Sequence, residues 1–192
     1  MKNKKVQLLI AALLICLPIT SLVSQAQTPR SAKDYTNRGS LLAARGEWQA
    51  AIADFTRAIE IEARYAAAYF NRGNARQATR DWDGAITDYN LAIEINPRLA
   101  AAYNNRGLAR QAKGDTEGAL ADYDSAIKIK PRYALAYANR GLTLLFLGQE
   151  AEAAKDFEQC FRLDSELRNS LDDRIKGIRQ RTKSTVEMSN KQ

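Results

Sequence analysis

The sequence predicts an all-α fold, an α-solenoid of antiparallel helix pairs. Three observations carry this. The tripeptide Asn-Arg-Gly stands at 37–39, 71–73, 105–107 and 139–141, returning every 34 residues. A fixed period of that size marks a repeat architecture. Each period holds two apolar stripes at helical spacing, and Gly and Pro fall where the helices must stop.

Aligned on the tripeptide, the units are 32–65, 66–99, 100–133 and 134–167. Positions are numbered from 1 within each unit, so the Gly falls at position 8. The elements follow in chain order.

Lys2, Lys4 and Lys5 precede an apolar run over 6–23, and Ser24-Gln25-Ala26 puts small residues at the two sites a signal peptidase reads. This layout predicts a signal peptide over 1–26, cut after Ala26. The competing reading is an uncleaved membrane anchor. The run has 18 residues, the lower bound for spanning a bilayer, and Gln7, Pro18, Thr20 and Ser21 interrupt it. A lipid-modified cysteine fits poorly, because Leu14-Ile15 and not a small residue precedes Cys16. Residues 27–31 read as a linker. The expected location is the periplasm or another extracytoplasmic compartment, with membrane attachment only if the segment stays uncleaved.

In the repeats, positions 4, 8 and 11 make the stripe of the first helix. Positions 20, 24, 27 and 28 make the stripe of the second. Position 4 is Tyr35, Tyr69, Tyr103 and Tyr137. Position 20 is Ala in every unit, and position 24 is Phe55, Tyr89, Tyr123 and Phe157. Gly at 8 and small residues at 20 and 27 let two helices cross closely. Gly46, Gly114 and Gly148 at position 15 can stop the first helix, although the second unit has Arg80 there. Pro97 and Pro131 at position 32 can stop the second helix. One pair cannot bury its apolar face alone, whereas four stacked pairs share a core.

This set of positions resembles the tetratricopeptide repeat (TPR) family over residues 32–167. The resemblance implies a superhelix whose concave groove binds an extended peptide or a partner helix.

After the repeats, Ser170 reads as an N-cap, with Asp172 and Asp173 in the first turn and Leu171, Ile175 and Ile178 as an apolar stripe. A capping helix is expected over 168–183 and a flexible tail over 184–192.

Composition excludes several function classes. There is no histidine among the 192 residues, so the commonest general base and metal ligand is absent. No nucleophile–base set, metal cluster or phosphate loop is present. The expectation is a non-catalytic protein with no cofactor and no metal. Net charge is +7. Removing the three leader lysines from 29 basic residues leaves 26 against 22 acids, a net of +4. With both signs interspersed, that does not point to nucleic acid. Cleavage after Ala26 also removes Cys16, leaving Cys160 with no partner for an intramolecular disulfide. Cys160 stands where the other units have Ala, which suggests a buried, inert thiol.

Positions 2, 5, 6, 9, 12 and 13 cluster on the face of the first helix opposite its packing stripe. In the middle units this face is amide-rich. The candidate peptide-binding residues are Phe70, Asn71, Asn74, Gln77, Asn104, Asn105, Gln111 and Asn139. Amides both donate and accept hydrogen bonds, which suits a peptide backbone. The alternative is that Asn at position 6 bonds the neighbouring helix in every copy. In the last unit the face is apolar, with Leu135, Leu142, Leu145 and Phe146. These four are expected to pack beneath the capping helix, the alternative being a ligand. Some family members grip a C-terminal carboxylate with a basic clamp. Here Thr36 or Phe70 at position 5 and Ala101 or Leu135 at position 2 do not match it.

Arg at position 7 falls on the packing side and needs a partner there. Position 23 is Asp54, Asp88, Asp122 and Asp156. Positions 7 and 23 sum to about 30, which sets them opposite each other across a hairpin turning near 15. An Arg–Asp pair inside each unit is expected. Arg64, Arg98 and Arg132 form a basic row at position 33. It reads as a solvated edge or as a site for an acidic partner.

The expected function is a protein–protein interaction adaptor of the cell envelope with a peptide or protein partner. A structural or self-assembling repeat module is the alternative. The oligomeric state is open.

Overall fold

The computed structural model describes the backbone of residues 31–189 and the side chains of residues 31–181. The expected signal peptide, Cys16 and all of the linker except Ser31 lie outside these residues. The described chain runs through helices α1 (Ala32–Ala44), α2 (Trp48–Ile61), α3 (Ala66–Ala78), α4 (Trp82–Ile95), α5 (Ala100–Ala112), α6 (Thr116–Ile129), α7 (Ala134–Phe146), α8 (Glu150–Leu163) and α9 (Leu167–Ser189). Among the described residues there is no strand.

Local chemistry sets the ends. Ser31, expected in the linker, is the N-cap of α1. Its Oγ accepts from Asp34 N–H at 3.1 Å, and the Asp34 carboxylate accepts from Ser31 N–H at 3.1 Å. This reciprocal pair satisfies two amides that the helix cannot. Asp81 and Asp115 cap α4 and α6 through Gly84 N–H and Gly118 N–H, at 3.0 and 2.9 Å. Gly46, Gly114 and Gly148 follow their helices with φ between 77° and 86°, and Arg80 follows α3 at φ 63°. The turn needs a left-handed residue in all four units, and only the second supplies a side chain there.

The two helices of a unit meet where the glycine at position 8 lies on the ring at position 24. A Cβ at Gly39, Gly73 or Gly107 would sit 2.7 Å from the ring of Phe55, Tyr89 or Tyr123. Those rings are buried, together with Ala at 20 and Ala or Cys at 27. Such close packing explains why this position takes no side chain.

Consecutive first helices (α1, α3, α5, α7) touch one another, whereas consecutive second helices (α2, α4, α6, α8) do not. A stack closer on one side must curve toward it. The first helices therefore line the concave side.

Helix α9 closes the stack. Its Leu171 and Ile175 are buried in one cluster with Ala138, Leu142, Leu145, Phe157 and Cys160. Two expectations change here. The helix starts at Leu167, with Ser170 inside its first turn, where the Ser170 hydroxyl donates to the Leu167 carbonyl at 2.9 Å. Leu167 packs on the cluster, which draws the helix start forward. The helix also continues to Ser189, into the stretch expected to be a tail. The four apolar residues of the last unit divide. Leu142 and Leu145 are core, but Leu135 and Phe146 lie outside the footprint of α9 and are 47% and 64% exposed.

Candidate functional site

The concave face begins with helix register. Positions 5, 6, 9 and 12 of α3, α5 and α7 look inward, and the helices are close enough for short amides to meet. Asn139 Nδ2 donates to Asn104 Oδ1 at 2.9 Å. Asn104 Nδ2 donates to Asn105 Oδ1 at 3.0 Å, and Asn105 Nδ2 to Asn74 Oδ1 at 2.8 Å. From below, the Tyr89 hydroxyl lies 2.9 Å from both Asn74 Oδ1 and Gln77 Oε1. The Tyr123 hydroxyl donates to Gln111 Oε1 at 3.2 Å. Burial raises the pKa of both phenols, so they stay protonated donors at neutral pH.

The candidate residues thus fall into two groups. Asn74, Asn104, Asn105 and Asn139 form a chain of amides joining three helices. Asn104 is only 3% exposed, with both its amide groups engaged. Asn at position 6 bonds the neighbouring first helix in Asn105 and Asn139, as the alternative reading allowed. Asn71 differs. It is half-buried, and its amide has no hydrogen-bond partner among the described residues. Beside it, Phe70 is half-buried and tilts against Tyr89, with ring centroids 6.1 Å apart. Gln77 and Gln111 are half-buried and bonded only through their oxygens.

Beneath this face lies the charged layer. All four Arg–Asp pairs form, Nε to Oδ2 and Nη2 to Oδ1. The Nη2–Oδ1 distances are 2.5 Å for Arg38–Asp54, 2.8 Å for Arg72–Asp88, 2.5 Å for Arg106–Asp122 and 2.6 Å for Arg140–Asp156. The third nitrogen of Arg72, Arg106 and Arg140 reaches position 25 of the preceding unit, at Thr56, Asn90 and Asp124. Each guanidinium also lies 5.3–5.7 Å from the centroid of the Tyr at position 4 of its own unit. One arginine thus ties two units together, and its role is structural.

Sequence reasoning missed Arg76 and Arg110. They stand at position 11, expected to be apolar, and bind Asp88 and Asp122 at 2.9 and 2.8 Å. The signal was present in the sequence. The two middle units share Arg at 11, Gln at 12 and Tyr at 24, whereas the outer units have Leu42 and Leu144 at 11 and Phe at 24.

Cys160 is fully buried, and burial raises its thiol pKa, which disfavours the reactive thiolate. Among the described residues no His, Cys, Asp and Glu group could hold a metal. No helix of those residues is long and apolar enough to cross a membrane.

Comparison with known proteins fits this geometry. The family described as TPR repeat matches residues 39–79, 81–114 and 110–148, and that described as Tetratricopeptide repeat matches 134–167. A comparison with curated proteins finds no match. Among similar solved structures is MamA, at 26% identity and TM-score 0.66, covering 70% of this chain and 79% of that one. MamA from Desulfovibrio magneticus RS-1 matches at 18% identity and TM-score 0.65, over 71% and 77% of the two chains. The first TPR of Spaghetti, solved bound to an HSP90 peptide, matches at 24% and 0.60, over 62% and 94%. The last two likenesses concern the fold alone. With a 34-residue period, paired helices and family matches across all four units, the chain belongs to the tetratricopeptide repeat family.

Proposed function

We propose that this protein is an exported adaptor that binds an extended peptide or protein segment along its concave face. The TPR fold supports protein–protein interaction, and no enzymatic family is indicated. The observation that carries the reading is the state of the amides. Most are held rigid by one another, while Asn71, the second Gln77 and Gln111 groups and Asn139 Oδ1 have no partner among the described residues. Prealigned donors and acceptors bind a peptide backbone at low entropic cost. Phe70 and the exposed Leu135 and Phe146 supply apolar contacts at either side.

The test is selection of random short peptides on the full chain, followed by affinity measurement for the winners. Asn71→Ala should weaken binding about tenfold, or about 1.4 kcal/mol, without lowering the melting temperature, and Phe70→Ala should weaken it similarly while also costing stability, because its ring packs on Tyr89. Peptides that bind both variants as tightly as the parent would move the site off this face.

Export rests on the layout of residues 1–26. The intact mass of protein recovered from the cell envelope checks it: loss of those residues supports cleavage, and full-length protein in the membrane fraction supports an anchor. Self-association is the second reading, favoured by Arg38. It is 50% exposed and, among the described residues, lacks the inter-unit bond that Arg72, Arg106 and Arg140 make. Light scattering showing a monomer at all concentrations would dismiss it.

A further inference from the structure

Two arginine rows run along this solenoid with the same period, and they differ in one respect. Arg38, Arg72, Arg106 and Arg140 at position 7 are each clamped by a carboxylate. Arg64, Arg98 and Arg132 at position 33 are all exposed, and none has an ion-pair or hydrogen-bond partner for its guanidinium among the described residues. The first row consumes its charge within the fold. The second presents it to solvent.

The second row is presented in the same way each time. Tyr65 N–H bonds Glu62 O, Leu99 N–H bonds Asn96 O and Tyr133 N–H bonds Lys130 O, at 3.1–3.2 Å. Each arginine is the third residue of that closed turn. Pro97 and Pro131 stiffen two of the turns, and Asn96 Oδ1 also accepts from Arg98 N–H at 3.1 Å. The helices that follow, α3, α5 and α7, have no acidic residue in their first turns. Those first turns therefore add no counter-charge to the row. It ends at the fourth unit, where Glu166 takes the same position.

Spacing selects the partner. The arginine turns lead into first helices that touch one another, packed helices stand about 10 Å apart, and one three-residue turn of polyproline II chain spans about 9 Å and returns its side chain to the same face. We propose that Arg64, Arg98 and Arg132 form a docking edge for an acidic protein segment in the extended polyproline II conformation, carrying a carboxylate at every third residue. The planar guanidinium fork matches a carboxylate with two parallel hydrogen bonds. The same edge is poorly suited to a broad polyanion. Glu62 stands in the turn with Arg64, and Glu94 is exposed in the last turn of α4. A membrane surface or a polynucleotide would meet those carboxylates, whereas a single extended chain passes between them.

The test uses the full chain and two labelled peptides of identical composition. One has glutamate at every third residue between serine and glycine, and the other has its glutamates contiguous. Fluorescence anisotropy at low and physiological salt reads the affinity. The spaced peptide should bind about tenfold more tightly than its isomer and weaken with salt. The variant with Arg64→Ala, Arg98→Ala and Arg132→Ala should lose binding by tenfold or more, and the triple Lys variant should recover part of it. All three positions are exposed, so helical signal and melting midpoint should match the parent. Asn71→Ala should bind the acidic peptide normally, which separates this edge from the concave face. Equal affinity for the triple Ala variant, indifference to glutamate spacing, or arginine-dependent binding to anionic vesicles or an oligonucleotide in place of the peptide would overturn the proposal.

Discussion

Arg72 and Asp88 meet through two parallel hydrogen bonds, Nε to Oδ2 at 3.0 Å and Nη2 to Oδ1 at 2.8 Å, and the carboxylate is fully buried. Arg76 adds a third contact to the same carboxylate at 2.9 Å. Removing Asp88 leaves the Arg72 guanidinium beneath the concave face without its counterion, and Arg76 with only Asp81 at 3.7 Å. Breaking a buried pair from one side is far costlier than the pair is worth. Asp88→Ala should therefore lower stability by about 3 kcal/mol or more in urea unfolding. Asp54→Ala should cost only about 1 kcal/mol, because its partner Arg38 is 50% exposed and can hydrate instead. Equal losses for the two variants would show that burial of the arginine is not what sets the cost.

The Arg–Asp pairing was legible because both positions recur in every unit, and the hairpin register sets them opposite. The stripe at positions 4, 8 and 11 hid the second arginine, since an apolar periodicity does not reveal a polar residue sharing a neighbour's carboxylate. The capping helix has no second copy to align with, so its start rests on local cues alone. Ser170 offers a good cap, but burial of Leu167 outweighs it. The amide face was readable as a face. Whether each amide points at a ligand or a neighbour depends on the curvature that brings position 9 of one unit to position 6 of the next, as in Asn74 and Asn105.

Arg80 holds a left-handed conformation, φ 63°, where the other units have glycine. A non-glycine residue pays roughly 1–2 kcal/mol there, partly offset because glycine loses more freedom on folding. Arg80→Gly should raise stability by about 0.5–1 kcal/mol, seen as a higher urea midpoint at unchanged slope. Gly114→Arg, the reverse change one unit later, should lower it by a similar amount. A loss of stability in Arg80→Gly would contradict the strain assignment.

Tyr89 and Tyr123 give the fold an alkaline limit. Burial raises both phenol pKa values above the ordinary 10.0. In the folded state the protons are held, and in the unfolded state they leave near pH 10. The stabilisation is therefore complete below pH 10 and is lost as pH rises above it. Each phenol should contribute a slope of about 1.4 kcal/mol per pH unit in that range. Urea midpoints measured from pH 9 to pH 11 check this. Tyr89→Phe should flatten the decline by about one phenol's share, and an unchanged slope would mean that Tyr89 ionises without unfolding.

The amide chain predicts opposite outcomes for two asparagines on one face. Asn104 accepts from Asn139 and donates to Asn105, at 3% exposure. Truncating it strands a donor on one side and an acceptor on the other, a cost of about 1–3 kcal/mol. Asn71 has no such partner among the described residues, so Asn71→Ala should change stability by less than about 0.5 kcal/mol. Peptide affinity should reverse the order. Asn71→Ala removes a group free to meet a ligand, and its affinity should fall about tenfold in titrations well below the melting temperature. Asn104→Ala should bind nearly normally there, because its amide is already committed within the face. Parallel thermal melts and peptide titrations of the two variants decide the matter. If both lost stability and affinity together, the face would act as one cooperative unit without a division between support and contact.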